Sequence, residues 1–387
     1  MIKVITAYTF ELDDPAKAAR SILDQVNPEK SLLKNSAALL FCHAKFFEMG
    51  VLEAVCKSLP FEVAGCTSQF FAIPGASGDI MLAVMVLTSD DIEFTAGISQ
   101  PLAKENMDNS ISALYKDMNS SSPSDPSLIF AFPPTMPGLT GDLFMSSLDR
   151  ACGGLPVFGT LALDMDTRIR NPGVFLNGTA YKDRMALLFL KGPVRPEFYY
   201  YPFPEDLSFA QDAVITGAKD NLIISINNRP AVSFLSELGL APGGKSSMVL
   251  AMPLIIKNAE ETETQVAVVQ STGANGELVC DVQVQAGGVL NIGSITANFV
   301  LESLNALVQE LKRNAGGTVN FIFSCFLRSV ALGGNDMAEI ELLEKEFAGF
   351  PIPYLFLASG GELCPVFTDS GKTVNRSHQY TLIACQI

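Results

Sequence analysis

Three times along this chain the same run of elements recurs: an apolar strand, a helix, a proline, a second strand, a glycine-bearing loop and a closing strand. The first run has a strand at Ala37–Cys42 and apolar residues Val51, Leu52, Val55 and Leu59 at helical spacing. Pro60 stops that helix, the strand Phe61–Ala64 runs into Gly65, Cys66, Thr67 and Ser68, and Ile80–Thr88 closes the run. The second run is Leu128–Phe132, a helix near Gly141–Cys152, Pro156, a strand ending at Gly159 and Thr160, and Met185–Leu190. The third is Val319–Cys325, a helix over Asp336–Ala348, Pro351 or Pro353, Tyr354–Ala358 with Gly360, Gly361 and Glu362 beyond it, and Tyr380–Cys385. Short apolar strands alternating with helices demand a sheet covered by helices. The expected fold class is therefore α/β, with mixed β-sheets flanked by helices and a repeated strand-helix-strand-strand unit.

The length of 387 residues allows two domains. The Pro-rich string Gly192–Pro204 suggests the division, giving expected domains at 1–200 and 201–387. Ahead of the first run, Val4–Thr9 reads as a strand, and Asp14 followed by Pro15 opens a helix as N-cap and first helical residue. Between the second and third runs the material changes. Val214–Thr216 and Asn221–Ile226 read as strands, and Gln265–Gln270 pairs with Leu278–Val284 across Gly273–Gly276. Asn298–Arg313 is the clearest amphipathic helix, with Val300, Leu304, Leu307, Val308 and Leu311 on one face.

A net charge of −15 with no basic cluster excludes nucleic acid and anionic membrane as partners. The longest charge-free apolar runs, near Ile80–Leu87 and Met248–Ile256, are strand-sized, so no membrane insertion is expected. The N-terminal residues have no signal-peptide pattern, and the eight cysteines are scattered in apolar strings with no Cys-x-x-Cys. A cytoplasmic protein with buried thiols is the expectation. Two histidines, His43 and His378, are too few for a His-rich metal centre.

Gly239–Ser246 matches the P-loop pattern, but a helix precedes it and a strand, Met248–Leu250, follows. A phosphate loop needs the reverse order, so a Gly-Pro turn is the better reading. The acidic run Glu260–Glu263 reads as a solvated loop. Cys325 or Cys66 could serve a cysteine-dependent hydrolase, with His378 as the base for Cys325. His43 or His378 could ligate haem. Arg328 and Glu362 could hold the two ends of a zwitterion or pair with each other.

The order of several segments identifies a resemblance. Pro60 with the turn Gly65–Ser68, and Val174–Gly178 before a strand, are similar to the N-terminal FIST domain. Val214–Ile223 through Arg229–Ala231, Ser324–Arg328 and Gly361–Glu362 are similar to the C-terminal FIST domain. The chain thus resembles a tandem FIST protein from roughly Ala37 onward. It departs from the pattern at Tyr201–Pro204, at Gly293–Thr296 and at Ser377–Gln379. The resemblance implies an intracellular sensory module that binds a small ligand, with amino acids proposed for the family, and no catalysis. It also implies signalling through a separate partner such as a histidine kinase, and, through the family's nitric-oxide sensors, haem as an alternative. The expected ligand site is Gly65, Cys66, Thr67, Ser68, Gly159, Thr160, Asp164, Cys325, Arg328, Gly361 and Glu362.

Overall fold

A computed structural model describes residues 2–121, 124–165, 171–204, 207–240, 252–258, 264–314, 316–367 and 373–387. Gly239 and Leu240 are described, but the rest of the P-loop-like string, the strand expected at Met248–Leu250 and the acidic run Glu260–Glu263 lie outside the described residues.

The repeat is longer than the sequence shows. Each unit begins with an edge strand and a helix before the run recognised above. The first unit runs Ile2–Thr9, helix Pro15–Val26, Asn35–Cys42, helix Val51–Ser58, Glu62–Thr67, a hairpin Gln69–Ile73 and Ala76–Gly78, and Leu82–Ser89. The second runs Glu93–Ile98, helix Met107–Ser120, Pro126–Phe132, helix Gly141–Cys152, Val157–Thr160, a hairpin Val174–Leu176 and Thr179–Tyr181, and Ala186–Lys191. The third runs Glu197–Tyr201, helix Ala297–Arg313, Asn320–Cys325, helix Ala338–Phe347, Tyr354–Ser359, a hairpin Glu362–Phe367 and Thr373–His378, and Leu382–Gln386. Between its first strand and first helix, the described strands from Ser208 to Gly293 form an antiparallel β-module of their own.

Local chemistry accounts for the element ends. Asp14 accepts a hydrogen bond from the Lys17 amide at 2.9 Å, and Thr296 caps the helix Ala297–Arg313 through the Phe299 amide. Asn177 and Gly178 both hold left-handed backbone (φ 51° and 85°), which makes the tight hairpin turn their sequence signals. Gly50, at φ 75°, breaks the helix expected at 48–59 into Lys45–Glu48 and Val51–Ser58.

Within each unit two strands pair in parallel and the closing strand lies antiparallel beside the first. The hairpins do not stay in their own sheets. The first unit's hairpin pairs with Tyr354–Ser359, the second's with Glu62–Thr67 and the third's with Val157–Thr160. Three six-stranded sheets are thereby linked in a cycle, each completed by a neighbour's hairpin.

The central strands of each sheet are buried on both faces, which explains their unbroken apolar runs. Leu39 and Phe41 face a core shared by all three sheets, while Ala38, Leu40 and Cys42 face the helices. Phe41 meets Phe132 and Phe323 edge-on, at centroid distances of 5.4 and 5.8 Å, and Phe130 meets Phe321 at 5.0 Å. Gly65 and Gly159 permit the close pairing of the parallel strands: a Cβ at either would lie 1.7 Å from the Leu40 carbonyl oxygen or 1.9 Å from that of Ala131. Backbone cannot yield as a side chain does, so Gly65→Ala is expected to cost at least about 1–3 kcal/mol. A urea midpoint equal to the parent's would show that the strands can separate freely there.

Candidate functional site

The carboxyl ends of the parallel strands converge. By alternation from the inward Ala64, Phe158 and Leu357, the residues two positions on, Cys66, Thr160 and Ser359, face the centre. The Thr160 and Ser359 hydroxyls are 2.7 Å apart, and the Ser68 hydroxyl donates to the Ala358 carbonyl. The Leu161 amide donates to the Gly361 carbonyl, and the Leu163 amide to that of Thr67. The expected residues Gly65–Ser68, Gly159, Thr160, Cys325, Gly361 and Glu362 are therefore gathered where the sheets meet. Asp164 is close by through Leu163, and its carboxylate accepts from the Asn171 amide at 2.6 Å.

Glu362 is fully buried. One carboxyl oxygen accepts from the Thr381 hydroxyl at 2.6 Å, and the other, Oε1, has no hydrogen-bond partner. Burial pushes its acid up to about 8, against the pull of that hydrogen bond. Asp281, from the β-module, is likewise pushed up to about 8, by burial first and by the neighbouring Asp142 in addition. The module closes over this end of the molecule. Its Ile255 and Val268, with Phe203 from the linker, pack on Cys325, Leu327 and Tyr380. Burial also raises the Cys325 thiol well above its ordinary value, and the Glu362 charge adds to that.

Arg328 does not join the strand ends, and the Arg328–Glu362 ion pair considered from the sequence does not form. Its guanidinium is fully buried on the helix side, where it donates to Glu339 Oε1 at 3.0 Å, the Ser303 hydroxyl at 2.9 Å and the Val300 carbonyl at 2.9 Å. Ser324 accepts from Arg328 and donates to Glu339 Oε2 at 2.9 Å. This knot ties two helices to the strand Asn320–Cys325. Glu339 escaped notice in the sequence because it reads as one of several acids on an amphipathic helix. Asp281 escaped because it alternates against Leu278, Cys280 and Val282 and so should face water; the core packs against that side of the module.

A small crevice of about 10 Å³ opens just outside the ends of the strands Asn320–Cys325 and Tyr354–Ser359. Phe70, Phe326 and Phe356 form its apolar walls, Asp336 and Glu339 contribute carboxylates, and Ser324 and Ser329 contribute hydroxyls. The Phe70 and Phe326 rings are nearly parallel, at 7°, with centroids 6.1 Å apart. Phe70 holds a left-handed backbone (φ 51°), as does Tyr380 beside Cys325 (φ 57°). Bulky residues pay for that conformation in strain, which concentrates at binding sites.

Neither histidine is free of local partners. His43 Nδ1 accepts from the Lys45 amide at 3.3 Å. His378 Nε2 donates to the Cys364 carbonyl at 3.1 Å, its ring lies 4.3 Å from that of Tyr200, and burial lowers its pKa to about 4. Among the described residues no group of three or more His, Cys, Asp or Glu side chains could hold a metal ion, and no helix is long and apolar enough to cross a membrane.

Two family models match the chain in succession, the FIST N domain over residues 36–229 and the FIST C domain over residues 231–365. This chain belongs to the FIST family. FIST domains are sensory and signalling domains. No curated protein matches the chain. Among solved structures, a chain described as "Cyanuric acid hydrolase: evolutionary innovation by structural concatenation" is similar over 68% of this FIST protein and 83% of its own length, at 9% identity and a TM-score of 0.31. A likeness that distant carries nothing about the site. The crevice draws on both family segments: Phe70 falls in the FIST N match, and Ser324, Phe326, Asp336 and Phe356 fall in the FIST C match.

Proposed function

We propose that this FIST protein is a non-catalytic sensor, which binds a small ligand in the strand-end crevice and signals through a separate protein such as a histidine kinase. The observation that carries this reading is the crevice's construction from both family segments, at the carboxyl ends of a parallel strand pair. Crevices at such ends are where open α/β sheets take ligands. A molecule seated there touches the first unit's hairpin and the third unit's strand ends together, so its binding energy bears on how the units hold one another.

The buried thiols support a non-catalytic role. All eight cysteines are buried and free, and burial raises both Cys66 and Cys325 away from the thiolate that a nucleophile requires. Free cysteines also suit a reducing, cytoplasmic setting.

Amino acids are the ligand class to test first. A ligand at 100 times its dissociation constant adds about 2.7 kcal/mol of stability, enough to raise the melting temperature by several degrees. Phe326→Ala removes one wall of the crevice and is expected to abolish that rise. A flat response to every amino acid removes this ligand class, and a rise unchanged in the Phe326→Ala protein moves binding away from the crevice.

A further inference from the structure

We infer that the group this crevice takes is a primary ammonium, –NH3+, at the end of an otherwise exposed ligand. The inference rests on the crevice being the binding site and adds the chemistry it selects. The lining holds two carboxylates and no basic side chain. The nearest guanidinium, Arg328, stands behind the lining: its Nε and Nη2 donate to Glu339, Ser324, Ser303 and the Val300 carbonyl, and its Nη1 has no hydrogen-bond partner. Arg328 balances the Glu339 charge, so a ligand carboxylate entering here would meet the Asp336 charge at the rim, whereas a cation meets Asp336 with the right sign.

Size and shape narrow the class further. The space of about 10 Å³ is that of roughly one water molecule. An –NH3+ group has nearly the size of water, and a trimethylated ammonium is several times larger. Three N–H donors need three acceptors. The acceptor oxygens of the lining are those of Asp336 at the rim, of the Ser329 hydroxyl, which itself donates to the Phe326 carbonyl at 2.8 Å, and of Glu339, whose Oε1 already accepts from Arg328 and whose Oε2 already accepts from Ser324. The near-parallel Phe70 and Phe326 rings at the same crevice supply faces that attract a cation. Phe70, with its left-handed backbone, stands here on a hairpin lent by another unit.

The experiment follows the melting temperature of the full chain in methylammonium chloride, tetramethylammonium chloride, sodium chloride and sodium acetate at one ionic strength. It is repeated with Asp336→Asn and Phe326→Ala. Methylammonium alone is expected to raise the melting temperature, and each substitution to weaken the apparent affinity by about tenfold or more. Asp336 is exposed, so its amide variant keeps the fold, which its ligand-free melting temperature verifies. Equal rises with methylammonium, tetramethylammonium and sodium would mean a general salt effect and overturn the inference. A methylammonium rise that survives both substitutions would overturn it too, by placing the cation elsewhere. If methylammonium has no effect but another small ligand gives a rise that Phe326→Ala abolishes, the ammonium class falls while the crevice stands. If no ligand-induced rise responds to Phe326→Ala, the crevice reading itself falls.

Discussion

Arg328→Ala is expected to lower the unfolding free energy by about 3–5 kcal/mol. The side chain is wholly buried, and its partner Glu339 is nearly so. Removing the guanidinium leaves the Glu339 carboxylate inside the protein with the Ser324 hydroxyl as its remaining hydrogen-bond donor, and leaves the Val300 carbonyl and Ser303 without their arginine contact. The penalty comes from the stranded charge more than from the lost attraction. Replacing both partners, as Arg328→Met with Glu339→Leu, is therefore expected to recover most of the loss, since apolar groups of similar volume often equal a buried pair. Urea unfolding of the two single variants and the double completes the cycle. Additive losses would show that the two side chains act independently, contrary to their 3.0 Å contact.

The second large effect depends on pH. The Glu362 acid sits near 8 in the folded protein against an ordinary value of 4.5. Below the ordinary value it is protonated whether the chain is folded or not, and it adds no pH dependence. Between 4.5 and about 8 the unfolded chain releases this proton and the folded chain keeps it, so stability falls as pH rises. Over that window the fall amounts to about 4–5 kcal/mol from this one group. Asp281, raised from 3.8 to about 8, pulls in the same direction. Glu362→Gln keeps the shape and removes the proton. The variant is expected to match the parent near pH 4 and to exceed it by several kcal/mol near pH 8; its residual slope comes from Asp281 above about pH 6.5 and, below that, from Asp281 opposed by His378, whose lowered pKa makes stability rise with pH. Denaturation midpoints from pH 4 to pH 9 measure the difference, and parallel curves for parent and variant would refute the assignment.

Two kinds of chemistry lie at adjacent places in this fold. The crevice opens on the helix side of the third unit, and the buried acids lie where the β-module covers the strand ends. Cys325 belongs to both, lining the crevice and touching the apolar seam under the module. A thiol so enclosed serves as packing, and although the residue draws attention as a nucleophile in the sequence it lacks the environment a nucleophile needs.

What short-range physics controls is legible in the chain before it folds. Apolar runs, helical spacing, Pro60, Asp14 and the Asn177–Gly178 turn set out strands, helices and a hairpin close to where they stand, and Gly65 and Gly159 marked the strand ends at which the sheets meet. Which sheet each hairpin joins is settled by long-range packing, because any free strand edge offers the same backbone hydrogen bonds and the choice depends on sheets distant in the chain. The same packing also decides the partner of Arg328. A charge looks the same in sequence whether water or protein surrounds it, and the helix Ala338–Phe347 brings Glu339, not Glu362, against the guanidinium. The crevice depends on the same long-range step: Phe70 reaches Phe326 only because its hairpin is lent to the third sheet.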